Sequence, residues 1–258
     1  MEDMKTNKLG IKDSINYLVQ GIKIALSKEC RSYVIIPILI NLVLLSTLGY
    51  LSYSYISSLI FSLFEEIPEF FRFIAYILAT FISIMIFFAA CYIFSTVATI
   101  IASPFYGLLA DKVEMKLEGT HGDDMTVWQL IKDVPRILKR ECKKQLFFLP
   151  LALLCLIFTF VPVVNLIAPF LWFALTAWMG CLQYCDYAYD NHKIAFNSMQ
   201  RDLRTNPMAT FSFGAVVALT LTVPLLNIII PPAAVCAGTK YFVEMQKKNY
   251  SAFVKKLG

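Results

Sequence analysis

VPVVNLIAP (Val161–Pro169) and VPLLNIIIP (Val223–Pro231) decide how this chain folds. The two nonapeptides share Val, Pro, Asn and Pro at matching places, with apolar residues between. Proline removes a backbone donor and fixes φ, and the residue before it avoids helical angles. Two prolines around an asparagine therefore predict a break in a helix. Each break lies inside a run free of Asp, Glu, Lys and Arg, the first from Leu146 to Cys185 and the second from Thr205 to Thr239. At bilayer depth such a break survives only where protein or a water-filled cavity covers the backbone. A pair of interrupted apolar segments points to a transport site.

Two further charge-free runs precede these, Tyr33–Phe64 and Phe73–Ala110. Together the four hold more than half of the chain, and mean hydropathy is +0.65. A soluble core does not need charge-free runs of that length, whereas a bilayer needs about 20 apolar residues per crossing helix. The start, MEDMKTNKLGIKDS, lacks the basic-then-apolar layout of a cleaved leader. The first apolar run is expected to stay in the protein.

The first two runs read as long spans, at about 1.5 Å of rise per residue. The other two leave apolar flanks, Leu146–Phe160, Phe170–Cys185 and Thr205–Thr222, with a shorter one after Pro231. As a helix, the flank Leu146–Phe160 rises about 22 Å, less than the roughly 30 Å hydrocarbon core. Each run then reads as a helical hairpin that enters and returns; the alternative is one kinked span apiece. Charge weighs on that choice. Lys and Arg number six before the first span, eight in 111–145, three in 186–204 and five after Thr239, while the connection Glu65–Arg72 holds one. With hairpins, all the basic residues but Arg72 share one face, which is then cytoplasmic, as are both termini.

The expected organisation is a single all-α membrane domain over 1–258. It has a surface helix over 11–31, spans over 33–64 and 73–110, an amphipathic helix over 126–145, and re-entrant hairpins over 146–185 and 205–243. In the first helix Ile11, Ile15, Leu18, Ile22, Ala25 and Leu26 recur at helical spacing opposite Lys12, Asn16, Gln20 and Lys23. That pattern suits a helix lying on the membrane surface, against lipid. In the second, Thr126 and Gln129 fit a capping box. Val127, Ile131, Val134, Leu138 and Cys142 make its apolar stripe, and Arg136, Lys139, Arg140 and Lys143 crowd the other side. The basic face suits either anionic lipid headgroups or an anion-attracting vestibule.

Catalytic chemistry is sparse. His121 and His192 have no ligand set beside them, and the seven cysteines form no CxxC, so no metal site or cofactor is expected. No phosphate loop, nucleophile elbow or HExxH motif is present, so the chain reads as no enzyme and no ATP-driven pump. The net charge of +5 follows from topology, and nucleic acid is not an expected partner. The half-helices that begin near Pro169 and Pro232 place N-termini inside the membrane, where free N–H groups favour an anion. Asn165 and Asn227 have side chains short enough to cap those ends or meet a solute.

FSTVATIIASPFYGLLADKVE (Phe94–Glu114), KDVPRILKRE (Lys132–Glu141), IAPFLWFALTAWMGCLQYCDYAYDNHK (Ile167–Lys193) and VPLLNIIIPPAAVCAG (Val223–Gly238) resemble the CysZ family of bacterial inner-membrane sulfate permeases, which supply sulfate for cysteine synthesis. The resemblance covers nearly the whole chain. It implies two long spans, two hemi-penetrating hairpins, a homo-oligomer and an ATP-independent sulfate path. The family commonly carries an Arg-Arg pair before the first span. In CRSYVIIP, Arg31 matches the first and Ser32 stands at the second. The expected sulfate-binding residues are Arg31, Ser32, Arg136 and Arg140. Gly107, Asp111, Glu114, Asn165 and Asn227 are expected in the pathway or its polar network, with Asp111 and Glu114 pairing to the two arginines when the path is empty. A non-transporting membrane scaffold or regulator is the alternative.

Overall fold

The computed structural model describes residues 11–65, 68, 70, 72–119, 127–223 and 226–246. Among these every regular element is helical. The helices are α1 (Ile11–Ala25), α2 (Arg31–Glu65), α3 (Arg72–Glu118), α4 (Val127–Phe160), α5 (Ala168–Asn191), α6 (Phe196–Leu203), α7 (Pro207–Leu221) and α8 (Ile230–Tyr241). Segments Arg31–Leu51, Arg72–Glu118 and Lys132–Phe160 are long and apolar enough to cross a membrane.

The chain divides into two compact units. One is residues 35–102, the body of α2 and the first part of α3. Its large apolar side chains are exposed along both helices, Leu42, Val43, Tyr53, Phe73, Ile77 and Phe88 among them. Among its described hydroxyls, Ser46, Thr47, Thr80 and Thr96 donate to carbonyls four residues earlier on their own helix, at 2.8–3.0 Å. That is how a hydroxyl is satisfied in a surround that offers no water.

The second unit joins residues 1–34 to 103–258. Here α5 packs on α4, α6, α7 and α8, and α1 lies on α7 and α8. Three glycines let the backbones touch. A Cβ at Gly21 would stand 2.3 Å from the Ala233 carbonyl oxygen, one at Gly214 1.7 Å from that of Ala177, and one at Gly238 2.6 Å from that of Tyr184. Each distance is far inside contact, so the α1–α8, α7–α5 and α8–α5 crossings all depend on a missing side chain. Around them Leu182, Tyr189, Met199, Leu203, Phe213 and Tyr241 fill the core. Phe213 stacks on Tyr241 at 5.9 Å.

Both nonapeptides break the helix, and in the same way. Asn165 N donates to Val161 O (3.0 Å) and Asn227 N to Val223 O (3.2 Å). A single 3₁₀ turn follows in each, Val164–Leu166 and Leu226–Ile228, and the next α-helix has proline in its first turn. The first break needs a left-handed residue, Val163 at φ 70°.

Three expectations change. Polarity divides 126–145 from 146–160, but one helix runs through both, with Pro135 and Pro150 inside it. Helix length therefore does not limit α4; apolar length does, because charged residues continue to Lys144. The first helix ends at Ala25 rather than residue 31, and one side of it packs on other helices. Its buried face is Ser14, Tyr17, Leu18, Gly21 and Ala25, turned to α7 and α8, while Ile11, Ile15, Val19 and Leu26 remain exposed. Gly21 explains the rotation: the side without bulk makes the closest approach. In α4 the stripe residues Val134 and Leu138 are only half-buried. Glu141 and Lys144 are buried and Cys142 is exposed. Thr126, of the expected capping box, and His121 lie outside the described residues.

Candidate functional site

Arg136, Arg140 and Lys144 recur every four residues, so they share one face of α4; Asp186 and Asp190 do the same on α5. The helices bring these faces together in antiparallel register. Arg136 pairs with Asp190. Arg140 reaches Asp186 at 2.6–2.8 Å and Asp190 at 3.3 Å. Lys144 reaches Asp186 at 3.1 Å and Glu141 at 2.6 Å. The ladder continues at both ends. Asp133 accepts from Arg136 (2.9 Å) and from Lys193 (2.8 Å). Glu141 accepts from Gln183 (3.0 Å) and from Ser103 of α3 (3.1 Å).

Burial gives the ladder its character. The side chains of Lys144 and Asp186 are 1% and 2% exposed, and that of Arg140 is 12% exposed. Withdrawing charges from water costs several kcal/mol each, so such groups persist only when paired and hydrogen-bonded. Each has more than one partner: Arg140 also donates to Ile194 O at 2.5 Å, and Lys144 sits 4.8 Å over the Tyr187 ring.

Along α3, Gly107 and Glu114, two turns apart, meet the last residue of α5 and the residue after it. Gly107 O accepts from Asn191 Nδ2 at 2.9 Å. Glu114 lies 2.7 and 3.0 Å from His192 Nε2. Glu114 is thus a partner of His192. The expectation that Asp111 and Glu114 pair with Arg136 and Arg140 is corrected: Asp186 and Asp190 hold those places, because they match the four-residue step of α4. A separate, partly buried pair involves α6, where Tyr189 donates to Asp202 at 2.5 Å. Burial pushes the Asp202 carboxyl above its ordinary range, with the Tyr189 bond acting the other way.

The remaining expected residues stand apart from the ladder. Arg31 and Ser32 begin α2 and are exposed; among the described residues Arg31 makes no ion pair. Asn165 and Asn227 are exposed at the two breaks. Neither caps a helix: the N-cap residues of α5 and α8 are Ile167 and Ile229, with no side-chain cap bond. Sequence reasoning gave no place in the site to Glu141, Lys144, Gln183, Asp186, Asp190 or His192. The step in DYAYD (Asp186–Asp190), equal to the step from Arg136 to Arg140, was the available signal.

Comparison with known proteins adds to this geometry. The family described as Sulfate transporter CysZ/Etoposide-induced protein 2.4 matches residues 17–232. The chain is 38% identical over 245 residues to the protein named Sulfate transporter CysZ of Vibrio cholerae, covering 95% of this chain and 98% of that one. It is 38% identical over 241 residues to the protein of that name in Salmonella typhimurium, covering 93% and 95%. The corresponding Pectobacterium atrosepticum protein is 37% identical over 246 residues, covering 95% and 89%.

Proposed function

Because the chain belongs to the Sulfate transporter CysZ/Etoposide-induced protein 2.4 family, we propose that it carries sulfate across the bacterial inner membrane into the cytoplasm, without ATP, for cysteine synthesis. The observation that carries this reading is likeness along essentially the full length to proteins named Sulfate transporter CysZ. The chain acts as a permease and not as an enzyme.

Sulfate is a strongly hydrated dianion, so leaving water requires charged or N–H donors that replace its shell. Arg31 is placed to begin that exchange: it is exposed, next to the first apolar run, and its planar fork suits an oxyanion. Ser32 adds a hydroxyl. Deeper in, Arg136 and Arg140 receive the anion as Asp190 and Asp186 release them. Gly107, Asp111 and Glu114 flank that route on α3, and Asn165 and Asn227 stand at the hairpin tips. Isothermal titration of the detergent-purified protein with sulfate tests the first contact. Losing one charge-assisted hydrogen bond costs about 1.5–3 kcal/mol. Arg31→Ala should therefore bind sulfate roughly 10- to 150-fold more weakly, and Lys23→Ala, on the exposed side of α1, should bind as wild type. Equal binding by wild type and Arg31→Ala would remove Arg31 from the site.

The ladder itself supports re-entrant hairpins. Beyond Lys144, α4 has only the apolar flank to Phe160, and α5 regains charge at Asp186. Both helices enter hydrocarbon from the charged end and meet at the break. Two such tips expose irregular backbone that lipid cannot satisfy, and a second copy of the chain is the simplest cover. A detergent-corrected light-scattering mass of at least two 29.3 kDa chains is expected. A single-chain mass with full uptake activity contradicts self-association.

A further inference from the structure

Resting on the reading that Arg31 meets sulfate, we propose that Lys116 is the second cation of that contact and Glu29 its built-in counter-anion, so that Glu29 sets how tightly sulfate is held. Glu29 lies in the turn between α1 and α2, two residues before Arg31. Ser27 O accepts from both Cys30 N (3.1 Å) and Arg31 N (2.9 Å), which ties Glu29 and Arg31 to one turn. Glu29 Oε2 accepts from Lys116 Nζ of α3 at 2.8 Å. The Glu29 carboxyl is held below its ordinary range by that bond, and Lys112, one turn back on α3, adds to the effect. Burial pushes the thiol of Cys30, next to Arg31, up, and the same two lysines act against that shift. Positive charge from α3 therefore converges on the turn that carries Arg31, and one carboxylate occupies it.

Magnitude separates this pair from the ladder. The Lys116 and Glu29 side chains are 42% and 69% exposed. An exposed pair of this kind is opened at a cost of up to about fivefold in a binding constant. Uncoupling a buried pair such as Arg140–Asp186 costs about two to four powers of ten. A dianion arriving from water displaces Glu29 from Lys116 cheaply and gains two separated cations, Arg31 and Lys116. It meets the ladder only afterwards. Glu29 acts here as a competitor, and because it is tethered it competes at every sulfate concentration.

Sulfate titration calorimetry on purified wild type, Glu29→Gln, Lys116→Gln, Lys116→Arg and the Glu29→Gln/Lys116→Gln double variant tests this. Both positions are exposed, and equal gel-filtration profiles would establish that the variants fold. Glu29→Gln should bind about two- to fivefold more tightly. Lys116→Gln should bind up to about fivefold more weakly, and Lys116→Arg close to wild type. In the double variant the gain from Glu29→Gln should vanish, since its partner is absent. Unchanged or weaker binding by Glu29→Gln overturns the proposal, as does tightening that persists without Lys116. If wild type binds sulfate and Arg31→Ala weakens it while the Glu29 and Lys116 variants do nothing, the inference fails and the Arg31 reading stands. If wild type binds no sulfate, both fail.

Discussion

At the scale of single residues, burial decides which charges are structural and which are available. Lys144 and Asp186 are enclosed and multiply paired, whereas Arg31, Glu29 and Lys116 face solvent. Asp202 gives a test that does not depend on sulfate. Its folded carboxyl titrates above the unfolded range because burial opposes the charge. A raised acid binds its proton more tightly when folded, so the stability it contributes is fully present below the unfolded pKa and is lost as pH rises through the folded one. As pH falls from about 7 to about 4, the ordinary carboxylate range, the melting temperature of wild type should gain on that of Asp202→Asn, which keeps an acceptor for Tyr189 but cannot titrate. A constant difference across that range contradicts a raised Asp202. The ladder was half legible at this scale. Arg136 and Arg140 stood out as basic residues on a helix. Their partners did not, because an amphipathic reading sends the charged face outward, and this one is turned inward and neutralised by Asp186 and Asp190 from another helix.

Elements were most legible where local chemistry alone fixes the backbone. The breaks at 161–167 and around Asn227 follow from Pro and the residues beside it, and both close on the same backbone bond from the Asn N–H to the Val four residues earlier. Contacts between elements were not legible, because they depend on residues far apart in sequence. Gly21 meets Ala233 and Ala237, and nothing around Gly21 announces them. The glycine crossings yield a sharp expectation. Gly214→Ala puts a methyl 1.7 Å from the Ala177 carbonyl oxygen, and backbone cannot move aside as a flexible side chain can. Thermal unfolding in detergent should show a loss of about 1–3 kcal/mol, typical of an overfilled core. Gly49→Ala, which meets nothing within 4 Å, should be neutral or slightly stabilising through helix propensity. Equal stability of the two variants would mean that α5 and α7 do not cross at Gly214.

For the whole molecule, charge and apolar length set the relation to the membrane. Long apolar helices were evident from composition, while the continuity of α4 from its charged segment into its apolar one was not, since polarity changes there and the helix does not. The re-entrant reading places 186–204 on the same side as both termini. A single cysteine at Arg201, in a cysteine-free background, should react with an impermeant thiol reagent only from the cytoplasmic side, and cysteines at Asn165 and Asn227 should resist it from outside. Ready external labelling at position 201 contradicts the hairpins. Transport is the central claim, and uptake of radiolabelled sulfate by liposomes reconstituted with the purified chain, without ATP, tests it most directly. Sulfate should accumulate inside well above protein-free liposomes, and Arg31→Ala should slow it at low sulfate. Uptake equal to that of protein-free liposomes, by protein that is folded and inserted, would contradict the account.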